Sequence, residues 1–451
     1  MSPNNSEENL SGSQNRRITW DGCSVLLDIN DGDRVLFARL TAGSKIKIGD
    51  KNCSLQPLIG CPFGSSFQVE VGAEEPFLAP LIPNAEGNGL GEKADDQTME
   101  ECRDNRALVD NNTAQSLTGE DIDGMRKKGA TGDEIVQALI ANSATFEKKT
   151  AFSQEKYRIK KQKKYAPRVL LRRPFARSIC EAYFKKHAEK IGFLRVDTLS
   201  LLLSLANVTA HSNVLVFDML EGIVTGSVAE RMGGMGYVCN PHCGTTPLPI
   251  SIVRMFNFSD DTCKRILHAS LTELQPSNGE ISIPSDQLVD ECNIKENKDT
   301  LSSSAKDLVN MEEISTTNMD TDNNVAASPK CAKTVKAGEK APPETIKHWK
   351  EHGFSSLIIA APNLDAWDIA KDLVPLLSYS APFVIYHQYL QPLATCMNNL
   401  QSNKMAINLH VSEPWLREYQ VLPSRTHPHM QMSSSGGYLL SGTRISSSHQ
   451  N

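Results

Sequence analysis

The apolar positions of this chain fall into three successive rhythms. From Arg16 to about Val71 they come in short, often alternating runs: Ser24–Ile29, Arg34–Leu40, Lys45–Ile48 and Phe67–Val71. Asn30–Asp33, Ala42–Ser44 and Gly49–Asn52 separate these runs with turn-forming residues. Period two with tight turns predicts a small antiparallel β-barrel over residues 16–80. Residues 1–15, rich in Ser, Asn and Glu, predict a disordered tail.

Residues 81–165 predict a connector with short helices. Its start, 81–105, is polar, Gly-rich and acidic. Thr118-Gly-Glu-Asp121 is an acidic variant of the capping box, and Gly129 suits the stop of that helix. Thr131-Gly-Asp-Glu134 fits the box directly, with Ile135, Ala138, Leu139 and Asn142 following at helical spacing. A third helix is predicted from Phe146 into a basic segment.

From residue 166 strands and helices alternate. The predicted order is strand Val169–Leu171, helix Ser178–Lys190, helix Asp197–Leu205 capped by Asp197, strand Val214–Phe217 ending in Asp218, a helix near Ser227–Met232 and strand Tyr237–Cys239. This first part of an α/β domain runs to 271. Residues 272–343 break the pattern: between Glu280 and Asp322 eleven acids face three lysines, which predicts a disordered acidic insertion. Over 344–451 the alternation resumes with strand Leu357–Ala361, helix Leu364–Leu376, strand Phe383–Tyr386, helix Leu390–Lys404 and strand Ala406–His410. Tyr419–Leu422 and Gly437–Leu440 then predict a closing antiparallel hairpin. The fold class is therefore α/β: a β-barrel, a helical connector and a Rossmann-like sheet, which holds ligands at the carboxyl ends of its strands.

Composition narrows the partners. No apolar run approaches the roughly 20 residues that span a bilayer, so no membrane partner is expected. The N-terminus lacks the apolar core of a signal peptide. Eleven cysteines at long spacings fit a reduced intracellular protein. A formal charge of −6 gives no global attraction to nucleic acid, so any attraction must be local.

It is local between Lys156 and Arg173. Lys156, Arg158, Lys160, Lys161, Lys163, Lys164, Arg168, Arg172 and Arg173 stand there with no acid among them. Like charges this dense repel, and an anionic partner relieves them by counterion release. Tyr157 and Tyr165 add flat faces on which a base can stack. A solvated helical face or a nuclear-localisation run is the plainer reading, and the two are compatible. Arg417, Arg425, His427 and His429 cluster near the C-terminal hairpin, where they either reach RNA phosphate or coat a loop.

The loop after Phe217 resembles a nucleotide or S-adenosylmethionine turn that has lost its chemistry. Asp218, Gly222 and Gly226 are in place, but bulky Leu220, Ile223 and Val224 stand where a ligand needs the backbone bare. Strand Tyr237–Cys239 leads to Asn240 in place of the carboxylate that holds ribose hydroxyls. At the strand end before Pro362, Ala360 and Ala361 occupy the place expected of an acidic catalytic group. Asp365 and Asp368 suit a solvent-facing helix start. Cys239, Cys243, Cys263 and His268 have some metal-ligand spacing without a paired knuckle, so no metal is assigned. Gly233-Gly-Met-Gly236 suits a helix stop and tight turn.

Asp104–Asp110, Gly132–Gln137, Phe152–Tyr165, Arg195–Leu199, Glu230–Gly236, Trp415–Pro423 and Gly436–Gly442 together resemble the non-catalytic subunits of the eukaryotic tRNA adenine-58 N1-methyltransferase. The resemblance implies an N-terminal barrel, a methyltransferase-like Rossmann domain and pairing with a homologous catalytic subunit as a dimer of heterodimers gripping tRNA. It places S-adenosylmethionine and the catalytic acid in that partner, no cofactor in this chain, and the complex in the nucleus. The RNA-binding residues would be Lys156, Tyr157, Arg158, Lys160, Lys161, Lys163, Lys164, Tyr165, Arg417 and Arg425. Two rival expectations are a divergent but active methyltransferase and a stand-alone RNA-binding factor.

Overall fold

A computed structural model of the chain describes residues 17–49, 51–71, 76–81, 115–147, 149–275, 335–421, 426–430 and 435–446. The expected tail, 1–15, lies outside the described residues, as do 276–334 of the expected insertion.

The first unit is β-rich: β1 (Ser24–Ile29), β2 (Arg34–Arg39), β3 (Lys45–Ile48), β4 (Lys51–Ser54), β5 (Ser66–Val71) and β6 (Pro76–Pro80). Asn30, Asp31 and Gly32 all take positive φ, and the Asp28 carboxylate accepts from the Gly32 N–H at 2.6 Å, which closes the β1–β2 turn. Three helices follow: α1 (Gly119–Lys127), α2 (Gly132–Ala141) and α3 (Ala151–Tyr165). Both capping boxes form, at Thr118 with Asp121 and at Thr131 with Glu134. The third helix starts five residues later than Phe146, at the Thr150 cap, because Ser143–Phe146 and Phe146–Lys149 close turns of their own.

The strand after α3, β7 (Arg168–Arg172), corrects the domain boundary. It was expected to open the Rossmann sheet; instead it lies in the first unit, antiparallel to both β1 and β5, in the order β2-β1-β7-β5-β6. The reason is its burial. Val169 and Leu171 are fully buried while Leu170 is half-buried, the one-sided pattern of an antiparallel sheet. Among the described residues the five strands form one sheet, and the β3–β4 hairpin packs on the same core; pairing that would close the expected small barrel is not seen among them.

The second unit contains α4 (Ala176–Lys186), α5 (Val196–Leu205), β8 (Asn213–Asp218), α6 (Ile223–Met232), β9 (Tyr237–His242), α7 (Asp260–Cys263), β10 (Ile266–Ser270), α8 (Leu271–Leu274), β11 (Glu339–Lys340), α9 (Pro343–His352), β12 (Ser356–Ala360), α10 (Ala366–Leu373), β13 (Pro382–His387), α11 (Leu390–Ser402), β14 (Ala406–Ser412), β15 (Tyr419–Gln420), β16 (His427–Pro428) and β17 (Tyr438–Arg444). Its eight-stranded sheet runs β11-β10-β9-β8-β12-β13-β17-β14, with one hydrophobic core on each face. β8 to β12 is where the winding reverses, and the carboxyl ends of strands at such a switch point are where doubly wound sheets hold ligands. α8 and β11 show that the edges of the expected insertion belong to this domain.

Three local expectations change. Asp197 does not cap α5; it forms a bidentate pair with Arg195 at 2.6 and 2.8 Å. β9 continues past Cys239 to His242, so Asn240 lies inside it. β17 pairs with β13 and β14, while Tyr419–Gln420 pairs only with β16, because the excursion between β14 and β17 folds on itself. The two units meet where the Asn257 amide bonds both backbone groups of Ser24, each at 2.8 Å, and where Phe37 packs on Tyr183. Among the described residues no helix is long and apolar enough to cross a membrane.

Candidate functional site

The switch-point crevice is built from the end of β8. Asp218 is almost wholly buried, and its carboxylate accepts from Leu220 N at 2.8 Å, Thr225 N at 2.8 Å and the Thr225 hydroxyl at 3.0 Å. Burial pushes its pKa up, against those hydrogen bonds, which pull it down. These bonds tie the carboxylate to the loop that follows it. Thr225 Oγ1 also lies 2.9 Å from Asn240 Oδ1, which ties β9 to α6.

The loop glycines keep a conformational role and are closely approached by the chain's own atoms. Gly222 has φ +86° at the start of α6, and a Cβ there would come within 2.7 Å of the Ile250 backbone. A Cβ on Gly226 would strike the Phe256 ring. A cofactor loop uses glycine so that a ligand can approach the backbone. Here the approaching groups are the chain's own Ile250 and Phe256. Leu220, Ile223 and Val224 are buried in the same core, so the bulky residues that the sequence places in the loop fill it. Ala360 ends β12, fully buried, and Ala361 follows it into the opposite core. Asp365 caps α10 through the N–H groups of Trp367 and Asp368, and Asp368 pairs with Lys371 at 2.7 Å, as helix-start residues do. His242 and His268 sit ring to ring at 5.3 Å, but no three-ligand metal cluster occurs among the described residues.

The basic segment forms α3. Lys156, Lys160 and Lys164, four residues apart, lie exposed along one face. Lys163 is tied to Asp33 of the β1–β2 turn at 2.7 Å, and Arg158 to Glu155 at 2.9 Å. The tyrosines are not open stacking faces. Tyr157 meets Phe146 edge-on at 5.7 Å with Lys149 and Lys161 over its ring at 4.9 and 5.2 Å. Tyr165 packs against the small α1–α2 core, with Arg126 and Lys164 over its ring at 5.8 and 5.2 Å. Lys149 and Arg126, which sequence reasoning missed, extend the cationic surface through these rings. Arg417 is exposed on the far excursion before β15, and Arg425 lies outside the described residues. Arg168 and Arg173 are exposed at the ends of β7, while Arg172 is bound to Asp28 at 3.0 Å.

A doubly wound α/β domain, preceded by a β-rich unit that includes the cationic helix α3 and the strand β7 after it, defines the class. The chain belongs to the Gcd10p family, whose profile matches residues 20–319. It is 36% identical over 95% of its length to a Dictyostelium discoideum protein, covering 80% of that protein, and 31% identical over 92% of its length to a Mus musculus protein, covering 88%. Both are named non-catalytic subunits of tRNA (adenine(58)-N(1))-methyltransferase. Among solved structures, a SAM-dependent O-methyltransferase from Thermotoga maritima is similar at 9% identity and a TM-score of 0.48, covering 96% of this chain and 97% of that one.

Proposed function

We propose that this chain is the non-catalytic, tRNA-binding subunit of a nuclear tRNA (adenine-58-N1)-methyltransferase, working with a homologous catalytic subunit as a dimer of heterodimers. The filled crevice carries this reading. Ile250 and Phe256 against the loop glycines, with Leu220 and Val224 in the core, support a reading in which S-adenosylmethionine is held by the partner and not by this chain. The same observation weighs against a divergent active enzyme. Membership among subunits that relatives name non-catalytic weighs against a stand-alone RNA-binding factor.

The contribution of this chain is positioning. Lys156, Lys160 and Lys164 neutralise tRNA phosphates without reading sequence, while the partner's pocket receives an adenine freed from its stack. Co-expression with the catalytic subunit, followed by methyl transfer to tRNA from each chain alone and from both, tests this. Activity is expected only with both. Methyl transfer by this chain alone defeats the reading.

A further inference from the structure

We infer that the seam between the two units, where the start of β2 meets the end of α4, holds tRNA backbone phosphate through Arg34, Lys185 and Lys186, apart from the exposed face of α3; this rests on the function proposed above. The ring of Phe37 on β2 packs on that of Tyr183 on α4 at 5.0 Å, which sets the two elements against each other. Arg34 opens β2 and is exposed. Lys185 and Lys186 stand in the last turn of α4, the first exposed and the second half-buried. Burial holds the Lys186 ammonium below its ordinary pKa, and the charge of Arg34 pushes it the same way, as two cations in one neighbourhood do.

The seam lies between α3 and the carboxyl end of the second sheet. The β1–β2 turn just before Arg34 holds the end of α3. Asp33 pairs there with Lys163 at 2.7 Å. The Asn30 amide donates to the Lys163 carbonyl at 3.3 Å, and its oxygen accepts from the Arg168 N–H at 3.1 Å. On the other side, the chain leaving α4 turns through Ala188–Ile191 to Gly192, whose carbonyl accepts from the Tyr386 hydroxyl at 2.7 Å. A Cβ on Gly192 would meet Leu220 and Pro362, which follow β8 and β12, at 2.8 Å. A phosphate backbone that runs from α3 to that end of the sheet crosses Arg34 and Lys186.

The charge at this seam is not balanced from within. Asp33 is taken by Lys163, Asp28 by Arg172 at 3.0 Å and Glu181 by Arg177 at 2.8 Å. Among the described residues no acid, the exposed Asp31 and Glu189 included, forms an ion pair with Arg34, Lys185 or Lys186. The negative end of α4 favours cations, but it carries only about half an elementary charge, and three cations exceed it. Phosphate supplies the rest and releases counterions as it does so. β2 and α4 expose no large apolar side chain, which a protein contact needs at its core. Phosphate contacts fix register and orientation without reading sequence, so cations on both units set the tRNA across the seam.

The test uses the full chain co-expressed with the catalytic subunit. An R34A/K185A/K186A variant should capture that subunit as wild type does and bind tRNA about tenfold more weakly at low salt, with a log–log salt slope flatter by about 2–3 units. R34K/K185R/K186R, which keeps the charge, should restore both affinity and slope. Combined with K156A/K160A/K164A, the alanine set should flatten the slope further, because the two sets hold different phosphates. Unchanged affinity and slope in R34A/K185A/K186A overturns the inference, as does a combined variant no flatter than the α3 variant alone. Lost capture of the catalytic subunit with tRNA binding intact overturns it too, and makes the seam a protein contact. A photo-crosslinker at Lys186 of the otherwise native chain guards against a variant that misfolds: it should join tRNA, and one that joins only protein, or nothing, overturns the inference. A wild-type complex that binds no tRNA sinks the proposed function itself.

Discussion

The crevice after β8 and the helix α3 treat their polar groups in opposite ways. In the crevice the Asp218 carboxylate is tied to the loop that follows it, and Leu220, Ile223 and Val224 disappear into the core. On α3 the exposed cations Lys156, Lys160 and Lys164 face solvent, and the helix leans on its neighbours mainly through Tyr157 and Tyr165. Gly222 needs φ > 0, and both glycines are closely approached by the chain's own atoms, Gly222 by Ile250 and Gly226 by the Phe256 ring. One region is closed by packing, and the other leaves its charge in solvent.

The strongest way to break this contrast is to reopen the crevice. Leu220→Ala removes a buried side chain and should lower stability by about 2–5 kcal/mol, read as a lower Tm of the purified complex. S-adenosylmethionine should still bind the isolated variant more weakly than micromolar, a threshold of about 8 kcal/mol by calorimetry, because Ile250 and Phe256 still cover the glycines. Micromolar binding by the wild-type chain would show that the crevice is not filled in solution.

The next test acts on α3. K156A/K160A/K164A should weaken tRNA binding by one to two decades at low salt. If all three contact phosphates, the log–log salt slope should flatten by about 2–3 units. Lys163→Ala should do less, because that ammonium already pairs with Asp33. High tRNA concentration should restore methylation in the triple variant. Unchanged affinity and slope would leave the run as a nuclear address.

Much of this contrast was legible in the sequence. Leu220, Val224, Asn240 and Ala360 stand where the cofactor chemistry wants other residue types, and the structure buries Leu220, Val224 and Ala360 in one core. The basic run was plain in the sequence, and the structure leaves its Lys156, Lys160 and Lys164 exposed. Hidden were the groups that arrive from elsewhere in the chain: Ile250 and Phe256 against the glycines, Asp33 against Lys163, and the Phe146 ring against Tyr157. Long-range contacts leave no mark in local periodicity. β7 was misplaced for the same reason, since a short apolar run does not state which sheet receives it. The bond from Arg195 to the Pro414 carbonyl carried no local signal, because Pro414 stands far along the chain.

Asp218→Asn is a finer probe of the crevice. It turns an N–H donor toward the N–H of Leu220 or Thr225 and should cost about 1–3 kcal/mol. The pH sign follows from burial, which raises the folded pKa of Asp218 above its unfolded value. A group shifted that way favours folding below the unfolded pKa, and the contribution fades as pH rises through the folded one. The deficit of the variant should therefore be greatest at acid pH and shrink toward neutrality. Denaturation of both proteins across that range measures it, and a deficit that grows with pH would mean that the loop N–H groups outweigh burial.

The smallest effect is expected from removing acidic sequence. Gln275 and Val335 bracket residues outside the described set, and the chain on either side is already closed. Lys340 pairs with Glu273 at 2.7 Å, Ala341 N donates to His268 O at 2.9 Å, and β11 lies beside β10. Deleting residues 285–325 leaves that closure intact. If the segment is the flexible loop its composition predicts, shortening it roughly threefold should stabilise the protein by about 1 kcal/mol through loop entropy alone. Removing surplus acids should leave tRNA affinity unchanged or slightly tighter, most visibly at low salt where the carboxylates are least screened. Methylation by the complex should stay within about twofold, a margin of about 0.4 kcal/mol. Loss of soluble complex, or weaker tRNA binding, would show that these residues dock somewhere, and the division between a closed crevice and a cationic helix would then need a third participant.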